Sequence, residues 1–481
     1  MNASHPSRVL VSVPHGANAG NVLRTGLVQR VLDSDPSVHV VLVSPLVNDP
    51  VFVREFSHPR VGFEPLPPHR PVGLEARLLS LIQASYLDSG VTEAVRIRRQ
   101  EAFAKKTIRF VRAKRLLASV FAPSIVRKES RYDLIDRLVS HLHAERLFDR
   151  YQPALLVASS PGLILAEVPL LRTAARRSVP SMAVDASWDN FTNKILPVRR
   201  VNRLVVWNQL MKQQAVELHG YRPEEVSITG TPHWDLYFRG ARGSTRDMFF
   251  RRIGADPSRK LVTLTTTPFE LYPHYDHVLR VMTDAMARGR WPYPCQILVR
   301  VHPRDDLDRY KEFFRTPHVM VEKPFRTTVT ASDGLSVDIT TESQQHLADT
   351  LRYSDVVVQV ASTIAIEAAI FDTPVVNVSF DGEMPAEWTR SARRYLRFTH
   401  FANLTRHAAV KLADSPEQLV DGVAEYLTDP TIDAEGRRRL VQEQCQFLDG
   451  RSSERVATCV VETLDEVCGV SARPLAAVSR S

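Results

Sequence analysis

The chain of 481 residues holds only four cysteines, Cys295, Cys445, Cys459 and Cys468. They form no C-x-x-C pair and have no histidine pattern beside them, so no zinc site is expected, and reduced thiols in the core or at the surface are the reading. Apolar runs near the roughly 20 residues needed to span a bilayer are also missing. The run VLVSVP (9–14) is too short and wrongly flanked for a signal-peptide core. A soluble, cytoplasmic protein is therefore expected. No G-x-G-x-x-G loop appears, which removes the main support for a dinucleotide cofactor. No solenoid-length repeat is present.

What is there points to an α/β protein. At 44% hydrophobic and 24% charged, the chain can bury two domain cores and carries no sign of global disorder. Lys and Arg outnumber Asp and Glu by 62 to 54, a net charge of +8 that favours anionic partners. Val/Ile/Leu-rich runs recur at 9–13, 38–43, 154–158, 180–184, 203–206, 226–229, 261–265, 296–301, 355–360 and 374–379, with helical segments between them. Runs that are continuous rather than alternating suit strands covered on both faces, hence parallel sheets. The Gly/Pro/Arg-rich stretch 227–247 separates two such sets. Expected domains are 1–235, with a basic helical insertion at about 92–131, and 236–468, followed by a frayed tail at 469–481. After the Asp-Gly turn at 449–450, a Ser-capped helix is expected.

The insertion contains RIRRQEAFAKKTIRFVRAKR (96–115), with nine Lys/Arg, one Glu and interleaved Ile97, Phe103, Ile108, Phe110 and Val111. It reads as a solvated helix face, or as a patch meeting anionic lipid headgroups. Without an aromatic platform, nucleic acid is not an expected partner. The acidic DSD (33–35) precedes a strand beside Pro36 and reads as a surface turn.

Four strand ends carry candidate chemistry. In the first loop, His15, Asn18 and Asn21 sit among small residues that allow close ligand approach. After the run 180–184 come Asp185, Ser187, Trp188, Asp189, Asn190 and Lys194, in which either aspartate could activate a hydroxyl. The strand at 296–301 ends on His302-Pro303, an imidazole placed for a phosphate or a leaving group. In VVVQVASTIAIEAAIFDTPVVNV (356–378), the strand stops at Ser362-Thr363, which would cap a helix. Its N–H groups and hydroxyls would face an anion, and Glu367 would lie on the Thr363 face, able to bind a ribose diol.

In this order, the first-strand loop, VWNQLMKQQAVELHGYRPEEVSITGTPHWD (206–235), RVHPRD (300–305) and SDVVVQVASTIAIEAAIFDTPVVNVSFDG (354–382) resemble GT-B glycosyltransferases and their nucleotide-sugar relatives. Nearest are bacterial surface-polysaccharide enzymes with an His-Pro motif, including capsule and teichoic-acid transferases. The resemblance implies two Rossmann-like domains facing a cleft, with a C-terminal helix crossing back. It implies donor phosphates held by His302, Ser362, Thr363 and Thr265 to Thr267, and ribose held by Glu367. Acceptor-side residues would be His15, Asn18, Asn21, Asp185, Ser187 and Asn190, with Asp189 or His15 as base. Gln359 stands where retaining relatives have the first Glu of E-x7-E, so inversion is favoured. Val360-Ala361 stand where glycerophosphotransferases place an Asp. The expectation is a metal-independent glycosyltransferase with a nucleotide sugar as substrate and no cofactor. It would act on a glycan or lipid-linked acceptor in cell-surface polysaccharide synthesis, peripherally at the inner face of the membrane. A nucleotide-sugar 2-epimerase, a CDP-glycerol-type polyol-phosphate transferase and an inactive binding scaffold are the alternatives.

Overall fold

The computed structural model describes residues 7–104, 128–196, 198–239, 244–328, 337–383 and 387–468. Seven parallel strands form the first sheet: β1 (Arg8–Ser12), β2 (His39–Val43), β3 (Val61–Glu64), β4 (Leu155–Ala158), β5 (Ser181–Val184), β6 (Arg203–Val206) and β7 (Val226–Ile228). Their order is β3-β2-β1-β4-β5-β6-β7. The chain then builds β8 (Lys260–Thr265), β9 (Cys295–Arg300), β10 (Val319–Glu322), a small antiparallel pair β11 (Arg326–Thr327) and β12 (Val337–Asp338), and finally β13 (Val356–Gln359), β14 (Val375–Val378) and β15 (Lys411–Ala413). The second sheet is parallel with order β10-β9-β8-β13-β14-β15. The expected α/β class with two Rossmann-like parallel sheets is what the chain forms. Continuous burial of β4, β5, β9, β13 and β14 explains why their sequences do not alternate.

The helix Ser452–Cys468 returns to the first sheet. Val456, Ala457, Cys459, Val460 and Leu464 share a core with Val9, Val11, Val40, Leu155 and Met182. Its N-terminus is capped at long range. Asp235, just beyond β7, accepts from the N–H groups of Ser452 and Ser453 at 2.8 Å each and from Ser453 Oγ at 2.6 Å. The cap is thus Asp235 rather than the helix's own serine, because a carboxylate satisfies two orphan N–H donors together. A second core joins the halves, running from Leu10, Trp207, Trp234 and Tyr237 to Ala365, Ile366, Phe401 and Leu440.

The insertion lies against the protein as far as it is described. In the helix Glu93–Ala104, Ile97 is fully buried and Arg98 donates to Asn193 O at 2.6 Å. Arg99 donates to Asp88 O, and Glu101 pairs with Arg394 of the second half. Arg98 and Arg99 of the basic stretch thus serve protein carbonyls. Residues 105–127 and the tail 469–481 lie outside the described residues.

Candidate functional site

Each sheet has one point where the chain reverses its direction of strand addition: between β1 and β4, and between β8 and β13. In open α/β sheets, ligands bind outside the carboxyl ends of the strands at such points. The second sheet places the expected donor residues there. Thr265 ends β8 and Thr266 and Thr267 follow it, His302 follows β9, and Ser362 and Thr363 follow β13. All three strands are adjacent.

His302 is fixed at both ends. Its N–H donates to Thr266 Oγ1 at 2.8 Å, and its Nδ1 accepts from Arg304 N–H at 3.0 Å. With Nδ1 as acceptor, the neutral ring carries its proton on Nε2, a donor suited to a phosphate oxygen. Burial, then the Arg304 and Lys323 cations, push the imidazole down to about 4, so it is neutral at pH 7. Thr266 also reaches Asp305 Oδ2 at 3.4 Å, and Asp305 accepts Tyr310 OH at 2.7 Å. Lys323, whose Nζ donates to Asp305 O at 2.6 Å, adds a cation beside the ring.

The turn after β13 is closed by its own hydroxyls. Ser362 Oγ accepts from Ile364 N–H at 3.3 Å, while Thr363 Oγ1 donates to Glu367 Oε1 at 3.2 Å. Ser362 is therefore the capping side chain of the short helix Ile364–Ile370, and Thr363 serves Glu367. Glu367 lies on the expected face, yet it is only 6% exposed and its other oxygen accepts Tyr237 OH at 2.7 Å. Burial raises its pKa, opposed by those two hydroxyls and the Arg300 charge. The two hydrogen bonds foreseen for a ribose diol are made inside the protein, and Glu367 braces the turn against the connection between the halves.

The first loop is also used internally. Asn18, 3% exposed, donates to Ser159 O at 3.0 Å, and His15 Nδ1 accepts from Asn18 N–H at 3.3 Å. Asn21 lies in a π-turn, Ala19–Leu23, that delivers Arg24 to the second half. A Cβ on Gly16 would come within 2.4 Å of Val337 O, and one on Gly20 within 2.7 Å of Ile339 O. These small residues admit the chain's own β12 segment, not a ligand, which corrects the expectation for Gly16 and Gly20. Arg24 locks the contact through Asp338 at 2.6 and 3.0 Å and Ile339 O at 2.8 Å, with its side chain 2% and Asp338 0% exposed.

Beyond β5, the loop 185–194 holds two carboxylates in opposite states. Asp185 is fully enclosed, accepts Asn190 Nδ2, and leaves Oδ2 buried with no hydrogen-bond partner among the described residues. Burial pushes its carboxyl up to about 7 against the Asn190 hydrogen bond and the Lys194 charge. Asp189 feels the same burial, but Lys194, His400 and hydrogen bonds from Ser187 and Asn193 offset it and hold the group at about 2. Carboxylates pushed apart in this way mark acid–base assignments in many active sites. Asp189 accepts from Ser187 Oγ, and Lys194 Nζ stands 3.6 Å from its Oδ2. Asn190, 5% exposed, is spent on Asp185 and on accepting Lys194 Nζ at 2.7 Å.

His400 completes this loop from the other half. Its ring meets Trp188 edge-on with centroids 5.0 Å apart, and its Nδ1 is buried without a hydrogen-bond partner among the described residues. Burial pushes the imidazole down to about 4 although Asp189 pulls it up. His400, Tyr237, Arg300 and Lys323 were absent from the sequence expectation. None sits in a recognisable turn, and only the three-dimensional contacts connect them to the loops at 185–194, 302 and 362–367.

A family model described as CDP-glycerol:poly(glycerophosphate) glycerophosphotransferase matches residues 170–462. No curated protein matches. Among solved structures, S. aureus MnaA in a co-structure with UDP is similar, with a TM-score of 0.55 and 11% identity over 97% of this chain and 99% of that one. The UDP-GlcNAc 2-epimerase from Neisseria meningitidis, bound to UDP-GlcNAc, gives 0.53 and 10% over 95% and 100%. The Methanocaldococcus jannaschii UDP-GlcNAc 2-epimerase gives 0.52 and 11% over 95% and 99%. At such identities the likeness is one of fold, and it matches the GT-B arrangement of two Rossmann-like sheets. The family model runs from the helix before the Asp185–Asp189 loop, through the whole second sheet, into the returning C-terminal helix, and on that span the chain belongs to the CDP-glycerol:poly(glycerophosphate) glycerophosphotransferase family.

Proposed function

We propose that the protein transfers a polyol phosphate, of the glycerol phosphate class, from a CDP-linked donor to a terminal hydroxyl of a growing phosphodiester polymer. The observation that carries this reading is the family match across 170–462, which takes in both the Asp185–Asp189 loop and the donor edge of the second sheet. The acceptor oxygen attacks the phosphorus bearing the polyol, the P–O bond to CMP breaks, and a phosphodiester forms while the acceptor proton passes to the protein. Asp189, held at about 2, is a weak proton acceptor. His400, pushed down to about 4, is the stronger base of the two, so it takes the proton and the Asp189 charge stabilises the imidazolium. His302 Nε2–H, with the Lys323 and Arg304 cations behind it, donates to the phosphate oxygens that gain charge as CMP leaves. The donor is a substrate, and no resident cofactor enters this reading.

Incubation of the pure protein with CDP-glycerol and a short glycerol phosphate acceptor tests it. Release of CMP with acceptor elongation is the expected result. Release of UDP from a UDP-sugar with sugar transfer, and no CMP, would replace it with glycosyl transfer. Interconversion of UDP-sugars without acceptor would replace it with an epimerase.

A further inference from the structure

Beyond the edge strand β3, three side chains from three separate segments converge. His69 lies in the proline-rich loop after β3, Glu75 in the first turn of the helix Gly73–Ser89, and His141 directly before the helix Leu142–Tyr151. His69 Nε2 is 3.1 Å from Glu75 Oε1, and His141 Nε2 is 3.9 Å from the same oxygen. All three ligand atoms lie within 4.8 Å of one another. We propose that His69, Glu75 and His141 bind one divalent transition cation of the zinc class.

Imidazole and carboxylate ligands suit this class, and two histidines with one glutamate are a recurrent zinc set. Tetrahedral ligands about 2.1 Å from the metal stand roughly 3.4 Å from each other. The two distances to Glu75 bracket that value. The imidazole planes meet at 86° with centroids 5.0 Å apart, so the two rings stand edge to face rather than stacked. His141 Nε2 is buried with no hydrogen-bond partner among the described residues, 3.9 Å from the shared oxygen.

Arg172 does not account for the histidines. It donates to Glu75 Oε1 at 2.6 Å and stands 3.6 Å from Asp136, and so already balances the glutamate. His69 adds a hydrogen bond to this ion pair, but His141, 3.9 Å away, makes none to it. Around a cation both are ligands, and Arg172, which donates to the same Glu75 oxygen, fixes the carboxylate as outer-shell partners of metal sites do. The cation would clip the loop after β3 to the start of the helix 73–89 and to the junction before the helix 142–151.

The test uses the full chain without an affinity tag, stripped with a chelator and then titrated with zinc chloride. Expected are one equivalent of bound zinc by elemental analysis, a raised Tm, and tetrahedral visible bands when cobalt(II) replaces zinc. His69→Ala and His141→Ala should each weaken binding at least tenfold and abolish those bands. Glu75→Gln keeps an acceptor for Arg172 and so guards against misfolding, and it should weaken binding comparably. Failure of the native chain to bind zinc at micromolar concentration would overturn the proposal. So would an unchanged equivalent in Glu75→Gln together with unchanged cobalt bands.

Discussion

Replacing Asp185 by asparagine should make the protein's stability less sensitive to alkali. Burial raises this carboxyl from 3.8 to about 7, so the fold favours its protonated form. The favourable contribution is complete below 3.8 and disappears as pH climbs through the window up to about 7. A shift of about three pH units corresponds to ~4 kcal/mol at most. Between pH 5 and pH 8, linkage predicts that the native protein loses ~2–3 kcal/mol that the variant keeps. The introduced amide would retain an oxygen acceptor for Asn190, and any fixed cost of its N–H groups cancels in a comparison across pH. Urea unfolding of both proteins at pH 5, 6, 7 and 8 reads this difference directly, provided the m-values agree. Parallel stability profiles for the two proteins would refute the claim that Asp185 is enclosed and uncompensated.

Three further outcomes are expected. Arg24→Met leaves Asp338, in a buried contact between the halves, with Arg326 as its remaining cation at 2.6 Å and should cost ~1–3 kcal/mol, read as a lower Tm; a change too small to detect would mean that Arg326 alone balances the carboxylate. Asp235→Ala removes a cap shared by two N–H donors and should cost ~1–2 kcal/mol, with hydrogen exchange accelerating in 452–468 before other helices. His302→Ala should lower CDP-glycerol turnover ~100-fold with an unchanged circular dichroism spectrum. Because this ring titrates near 4, the native rate should show no inflection from it between pH 6 and 8, and full activity of the variant would displace the donor site.

The fold was legible wherever strands are covered on both faces. The main-sheet strands that left no apolar run, β3, β10 and β15, all lie at sheet edges. Apart from Ala413 of β15, their residues are half-buried or exposed, as in VGFE and VMVE, so a search for continuous burial passes over them. The gathering of hydroxyls and a histidine at the carboxyl ends of β8, β9 and β13 was legible because strand ends follow from the βα pattern alone. The use of those residues was not. Nothing in Glu367's neighbourhood in sequence reveals Tyr237, 130 positions away, as its partner. The glycines of the first loop were read rightly as inviting close approach, but the visitor is the chain itself. His400 was invisible for the same reason, since its relation to Asp189 exists only after the halves meet.

The returning helix bears on the order in which the protein can fold. Val9 and Val11 are synthesised more than 440 residues ahead of Val456, Val460 and Leu464, which share their core. The first sheet must therefore wait, with one apolar face open, until the second has been synthesised. Vectorial folding, in which an N-terminal domain closes before its neighbour begins, is denied to this chain. A fragment ending near residue 235 would carry Asp235 with no helix to cap and an uncovered stripe of valines, and aggregation is its expected fate.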